Sequence, residues 1–225
     1  MEINGKTFLV CGASGVLGSE LVKLLREQGA KVLGTATTNE SAAQIPAGVE
    51  VRLLLDYTKP ESIKTLTDYL IASTEIDGII NASGVVAFGE IAQLDAETLN
   101  KLFDINAVGP IQLLSALSQL LAKKPESVVV NLTGVVAEAA LPGIAAYSSS
   151  KFAIDGFLQA AAREWRRAGT RVISARPGHT ETGLADRAIA GVTPKFPPGK
   201  TANQVASRII QAIISDEKEL PSSAF

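Results

Sequence analysis

Apolar positions along the chain fall into two alternating patterns. Short, nearly continuous apolar runs begin with KTFLV at Lys6 and KVLG at Lys31. They continue with VEVRLLLD ending at Asp56, IDGII running into Asn81, PESVVVNL from Pro125, and TRVISAR ending at Pro177-Gly178. Runs of this kind, rich in valine, isoleucine and leucine, read as strands buried on both faces. Between them lie longer segments with apolar residues at helical spacing: VLGSELVKLLREQG, a segment entered through Lys59-Pro60, the stretch 96–124, KFAIDGFLQAAAREW, and a last run from about Thr201 to Ile214. Proline near the first turn of the Lys59-Pro60 segment suits a helix start. Strands that alternate with helices predict an α/β domain on a doubly wound parallel sheet, which binds ligands at the carboxyl ends of its strands.

Composition narrows the picture. With 225 residues, 46% hydrophobic and 20% charged, the chain suits one well-buried domain over 1–225, and neither repeats nor linkers divide it. A net charge of −2 and no basic cluster argue against nucleic acid or a membrane surface as partner. No apolar stretch approaches a membrane span, and the N-terminal residues do not read as a secretory signal, so a cytoplasmic location is expected. The single cysteine, Cys11, excludes an intrachain disulfide, and one histidine with scattered carboxylates does not suit a metal site.

The first strand leads into CGASGVLG and then a helix. Gly12, Gly15 and Gly18, with Ser14 and Leu17 between them, fit a dinucleotide turn: a tight bend, close approach of backbone to pyrophosphate, and close packing of helix on strand. The helix N-terminus then offers amides to phosphate. Where an NAD site places an acid near the adenosine ribose, this chain has Thr35, Ala36, Thr37, Thr38 and Asn39. No carboxylate stands there to repel a 2′-phosphate, and Ser14, Thr37 and Thr38 offer hydroxyls, so NADP(H) is favoured over NAD(H). Asp56 stands at a strand end where it meets the adenine or simply forms a turn. After the fourth strand, Asn81, Ala82, Ser83 and Gly84 leave room for a ribose and nicotinamide.

Chemistry enters with Tyr147 and Lys151, four apart on one predicted helix face. A free tyrosine has a pKa of about 10, and a nearby cation favours the phenolate and brings it down. Pro110 falls inside the helical stretch 96–124. It deprives the carbonyl of Asn106 of a partner and bends the helix there, giving either a seat for a proton-relaying water or a simple packing kink. The Pro- and Gly-rich segment at about 178–200 follows a strand end and reads as a substrate-covering lid.

In order and spacing, GASGVLG, Asp56, NASG, Asn106, Tyr147-x-x-x-Lys151 and PGHTET resemble the short-chain dehydrogenase/reductase family over nearly the full chain. The resemblance implies a Rossmann-type three-layer sandwich and hydride transfer between nicotinamide and a carbonyl or secondary alcohol. Tyr147 is then the general acid/base, and Lys151 lowers its pKa and holds the nicotinamide ribose. Asn106 holds a relay water, and Thr182, beyond Pro177 and Gly178, binds the carboxamide. A homodimer is also implied, with Phe152, Phe157 and Trp165 either at the contact or in packing. His179 reads as a loop or substrate-contact residue.

The sequence departs from the family at three places. Its glycines read G-x-x-G-x-x-G, NASG replaces NNAG or NAAG, and Gly134 stands where the family has the serine that orients the substrate carbonyl. Thr133 takes that role only if the strand end slips or bulges. Losing one oxyanion hydrogen bond costs on the order of 10²–10³ in rate, so Gly134→Ser is expected to raise turnover. The same glycine leaves open a non-redox or cofactor-sensing protein. The small, apolar loops at 137–146 and 183–200 favour an uncharged small-molecule carbonyl or alcohol as substrate.

Overall fold

The computed structural model describes residues 1–225. The six expected strands are β1 (Thr7–Cys11), β2 (Lys31–Ala36), β3 (Val51–Leu54), β4 (Gly78–Asn81), β5 (Ser127–Leu132) and β6 (Thr170–Ala175). All pair in parallel in the order β3-β2-β1-β4-β5-β6. The order reverses between β1 and β4, which opens a crevice beyond their carboxyl ends.

The helices are α1 (Val16–Glu27), a short α2 (Asn39–Ala42), α3 (Pro60–Ser73), α4 (Ala96–Phe103), α5 (Gly109–Leu121), α6 (Ala145–Glu164) and α7 (Ala202–Ile214). Alternate strand residues feed two separate cores. Phe8, Val10, Val128 and Val130 pack with α1 and α7 on one face. Leu9, Cys11 and Val129 pack with α3, α5 and α6 on the other. Both faces of the sheet are thus covered, which is why its strands are apolar at consecutive positions.

Two details differ from a plain reading of periodicity. The stretch 96–124 does not merely kink at Pro110: residues Asp104–Val108 form a π-helical turn closed by the Gly109 amide on the Asp104 carbonyl. The wider turn absorbs the proline ring that a regular helix cannot hold against residue 106. Beyond β6, the two-residue strands β7 (Thr180–Glu181) and β8 (Lys200–Thr201) pair in parallel and close the base of the lid segment.

Candidate active site

The glycine turn is packed against its surroundings at backbone distance. Gly12 has φ +74°, and a Cβ there would lie 2.8 Å from Ser83 Oγ. A Cβ at Gly18 would overlap the Gly12 carbonyl, so α1 packs on the turn only because that residue is glycine. Gly15 begins α1 with no side-chain cap, which leaves first-turn amides available to an anion. Leu17 and Ser14 are half-buried beside them. These residues fit a pyrophosphate.

At the end of β2 the hydroxyls divide. Thr38 is spent as the cap of α2, accepting from the Ser41 amide at 3.2 Å, whereas Thr37 is exposed. Thr38 therefore drops out of the expected phosphate-binding set, because the short helix that claims it was not visible in periodicity. The same helix puts Glu40 in its first turn, where its own amide and the Thr38 hydroxyl hold the carboxyl below its usual range. Asp56 forms a local turn, accepting from Thr58 Oγ1 at 2.7 Å and pairing with Lys59 at 2.9 Å.

Asn81 is buried, and its side chain ties the sheet together. Its amide nitrogen donates to Asn131 Oδ1 at 2.6 Å, across a register that pairs Asn81 with Asn131. Its oxygen accepts from the buried Tyr57 hydroxyl at 3.2 Å and from the Ser83 amide at 3.3 Å. Asn81 thus serves the crevice by holding the turn Ala82 to Gly84. Tyr57 and Asn131 were not singled out from sequence, since their only signal is strand register.

Lys151 and Tyr147 both lie on α6. Lys151 is 5% exposed, donates to the Leu132 carbonyl at 2.9 Å, and holds Nζ 5.9 Å from the Tyr147 ring centroid. Burial pushes the Tyr147 phenol up to about 12 and the Lys151 amine down to about 8. The expected depression of the phenol is therefore reversed in the protein alone. The cation is directed at a carbonyl and a ring face, and desolvation outweighs it. Asn106 closes the cluster: its oxygen accepts from Val85 N at 3.0 Å and its nitrogen donates to Ser150 Oγ at 3.0 Å. Ser150 in turn donates to the Tyr147 carbonyl at 2.7 Å. A Cβ at Gly84 would stand 3.2 Å from Asn106 Oδ1 and 3.3 Å from Lys151 Nζ, so this glycine lets the groups converge.

Thr133 does not replace the missing serine. It is fully buried, with its hydroxyl 2.7 Å from Ser174 Oγ and bonded to the Ala175 carbonyl at 3.2 Å. The amides of Thr133 and Gly134 both bond the Ala175 carbonyl, at 2.9 and 3.1 Å, so the ladder is irregular at the strand end, yet the Thr133 hydroxyl stays with its sheet neighbours. Gly134 has φ +80° and ψ 162°, a region closed to side chains other than glycine's. Yet a Cβ there would meet nothing nearer than 3.8 Å. The position lacks the serine because of its backbone, with no shortage of space, and this removes the expectation that Gly134→Ser restores turnover.

Across the crevice, buried Pro177, exposed Gly178 and half-buried Thr182 lead into the lid. His179 stacks on Phe196 at 4.7 Å, and Phe196 meets Phe88 at 6.1 Å. The amides of Phe88 and Ile189 bond the carbonyls of Ala190 and Val86, so the lid is latched onto the loop after β4. Between them lies a pocket of about 120 Å³ whose lining includes Ala146, next to Tyr147. Phe157 and Trp165 form an edge-on pair at 6.1 Å against the core, while Phe152 stays 42% exposed. No group of three His, Cys, Asp or Glu side chains is placed to hold a metal ion, and no helix is long and apolar enough to cross a membrane.

A glycine-lined crevice at the sheet's switch point, with a half-buried tyrosine beside a buried lysine, suits a dinucleotide-dependent oxidoreductase. The chain belongs to the short chain dehydrogenase family, whose model matches residues 6–192. It is 29% identical to the 3-oxoacyl-(acyl-carrier-protein) reductase FabG of Escherichia coli, over 96% of this chain and 93% of that protein. The reductase of the same name from Vibrio cholerae is 30% identical, over 93% and 90%. Among solved structures, a short chain dehydrogenase from Burkholderia cenocepacia in complex with NADP superposes with a TM-score of 0.87 at 24% identity, covering 99% of this chain and 90% of that one. A short-chain dehydrogenase from Sphingobium yanoikuyae in complex with NADPH gives 0.84 at 22%, covering 96% and 87%.

Proposed function

We propose that this oxidoreductase moves hydride between NADP(H) and a carbonyl or secondary alcohol carbon, with Tyr147 passing the proton. The convergence of Lys151 and Asn106 on Gly84, with the Tyr147 ring 5.9 Å from Lys151 Nζ and a pocket that reaches Ala146, carries this reading. Gly12, Gly15 and Gly18 would hold the pyrophosphate, with Leu17 beside it. Ser14 and Thr37 would hold the 2′-phosphate, Asp56 the adenine side, and Ala82 to Gly84 with Lys151 the nicotinamide ribose. Pro177, Gly178 and Thr182 would hold the carboxamide. The nicotinamide, when bound, supplies the hydride.

With its phenol pushed up to about 12, Tyr147 is protonated at neutral pH and serves as a donor. Lys151, charged below about 8, stabilises the phenolate left when that proton has gone. Asn106 fixes the π-turn against the loop after β4 and, through Ser150, the first turn of α6. The NADP(H)-bound structural neighbours support the cofactor, as does the lack of an acid at 35–38. Glu40 works against the preference.

Gly134 favours a second reading, a protein that binds dinucleotide with little turnover, because no side-chain hydroxyl stands at that position. Calorimetric titration of the purified protein with NADPH and with NADH tests the first reading. NADPH is expected to bind about tenfold tighter, the size of one charge-assisted contact. Binding of neither removes the redox function.

A further inference from the structure

The pocket whose lining stops at Ala146, one residue before Tyr147, is built by residues 87–98 after β4, by 143–146 leading into α6, and by Ala190 and Gly191 of the lid. The only charged side chains in its lining are two acids, Glu90 and Asp95, and no lysine or arginine faces them there. Asp95 is fixed in place as the cap of α4, accepting from the Thr98 amide at 2.7 Å. Apolar side chains in the wall, and two more within two residues of it along the chain, stand exposed to water as a collar. Ile91 and Leu94 in the wall are 78% and 39% exposed, and Leu141 and Val192, flanking the lining residues Gly143 and Gly191, are 56% and 88% exposed.

We infer that this pocket takes a neutral carbonyl compound with an alkyl tail, its carbonyl toward Tyr147 and its tail across the collar, and turns away the same compound bearing a carboxylate or phosphate. The inference rests on the reductase reading and names its substrate class. An anion entering here loses water and meets two carboxylates, with no cation in the wall to offset either cost. Each methylene laid on the collar adds about twofold to fourfold in affinity. The likeness to 3-oxoacyl-(acyl-carrier-protein) reductases therefore does not by itself carry their substrate over to this chain.

The test is a set of initial rates with NADPH on keto acids, their ethyl esters, 2-alkanones of increasing length, and a 3-oxoacyl thioester of coenzyme A. The esters are expected to exceed the matching acids in kcat/KM by about tenfold or more, with a gap that shrinks as salt screens the exposed acids. Glu90→Gln narrows that gap severalfold, and Ile91→Ser flattens the rise with chain length. Keto acids or the thioester reduced as well as the esters overturn the substrate inference and leave the reductase reading standing. Reduction of no compound in the set overturns both.

Discussion

The turns that follow β1 and β4 and the chain just beyond β5 and β6 are packed by different rules. On the first, a Cβ at Gly12 would lie 2.8 Å from Ser83 Oγ, one at Gly18 would overlap the Gly12 carbonyl, and one at Gly84 would lie 3.2 Å from Asn106 Oδ1. There a side chain has nowhere to go. On the second, a Cβ at Gly134 would find its nearest neighbour at 3.8 Å, and at Gly178 nothing lies within 4 Å. Glycine at 134 is demanded by a torsion angle, and at 178 by nothing steric. One side is thus pre-shaped for a single ligand whose backbone contacts tolerate no change. The other has room for a side chain at these two positions, while further along the lid a Cβ at Gly191 or Gly199 would again overlap backbone, at Phe88 and His179.

The largest expected effect lies on the helix that borders both sides. Tyr147→Phe should lower kcat/KM by about 10³-fold, the scale of a lost general acid, while NADPH binding by titration stays near the parent's. A parent-like rate would take Tyr147 out of the chemistry.

Gly18→Ala sharpens the steric half of the comparison. It should weaken NADPH by about tenfold or more, because α1 must move off the turn to make room. Gly178→Ala, with open space around it, should change thermal stability by less than about 0.5 kcal/mol. Equal effects from the two would erase the distinction between the sides.

Gly134→Ser probes the torsional half. It should cost about 1–3 kcal/mol of stability by denaturant unfolding, since a serine must leave the glycine-only region or sit strained in it. No gain in turnover is expected. A faster and equally stable variant would mean that the backbone relaxes freely at the end of β5.

The last test is a pH dependence. Lys151 titrates near 8 in the folded protein, against 10.5 when unperturbed. Reduction should therefore hold level through neutral pH and fall as pH passes about 8, when the ammonium is lost. Between about 8 and 10.5 the unfolded chain keeps a proton that the folded one has released, so this group's contribution to stability rises over the same window. Rate and stability moving together would exclude Lys151 as the titrating group.

Much of the molecule was legible before it was folded. Continuous apolar runs marked strands covered on both faces, three glycines marked a turn with no room for side chains, and a four-residue interval put Tyr147 and Lys151 on one helix. These are local facts, carried by period and by steric demands inside one segment. Tertiary structure decided what depended on neighbours distant in sequence. It turned Thr133 toward Ser174 across the β5–β6 register, and it joined Tyr57, Asn81 and Asn131 through strands that meet only in the sheet. It spent Thr38 on a four-residue helix too short for periodicity to reveal. It also set the titration of the active pair. Spacing brings a phenol near an ammonium, but desolvation raises the pKa of the one and lowers that of the other. Desolvation is a property of the whole packed rim, and no stretch of sequence holds it alone.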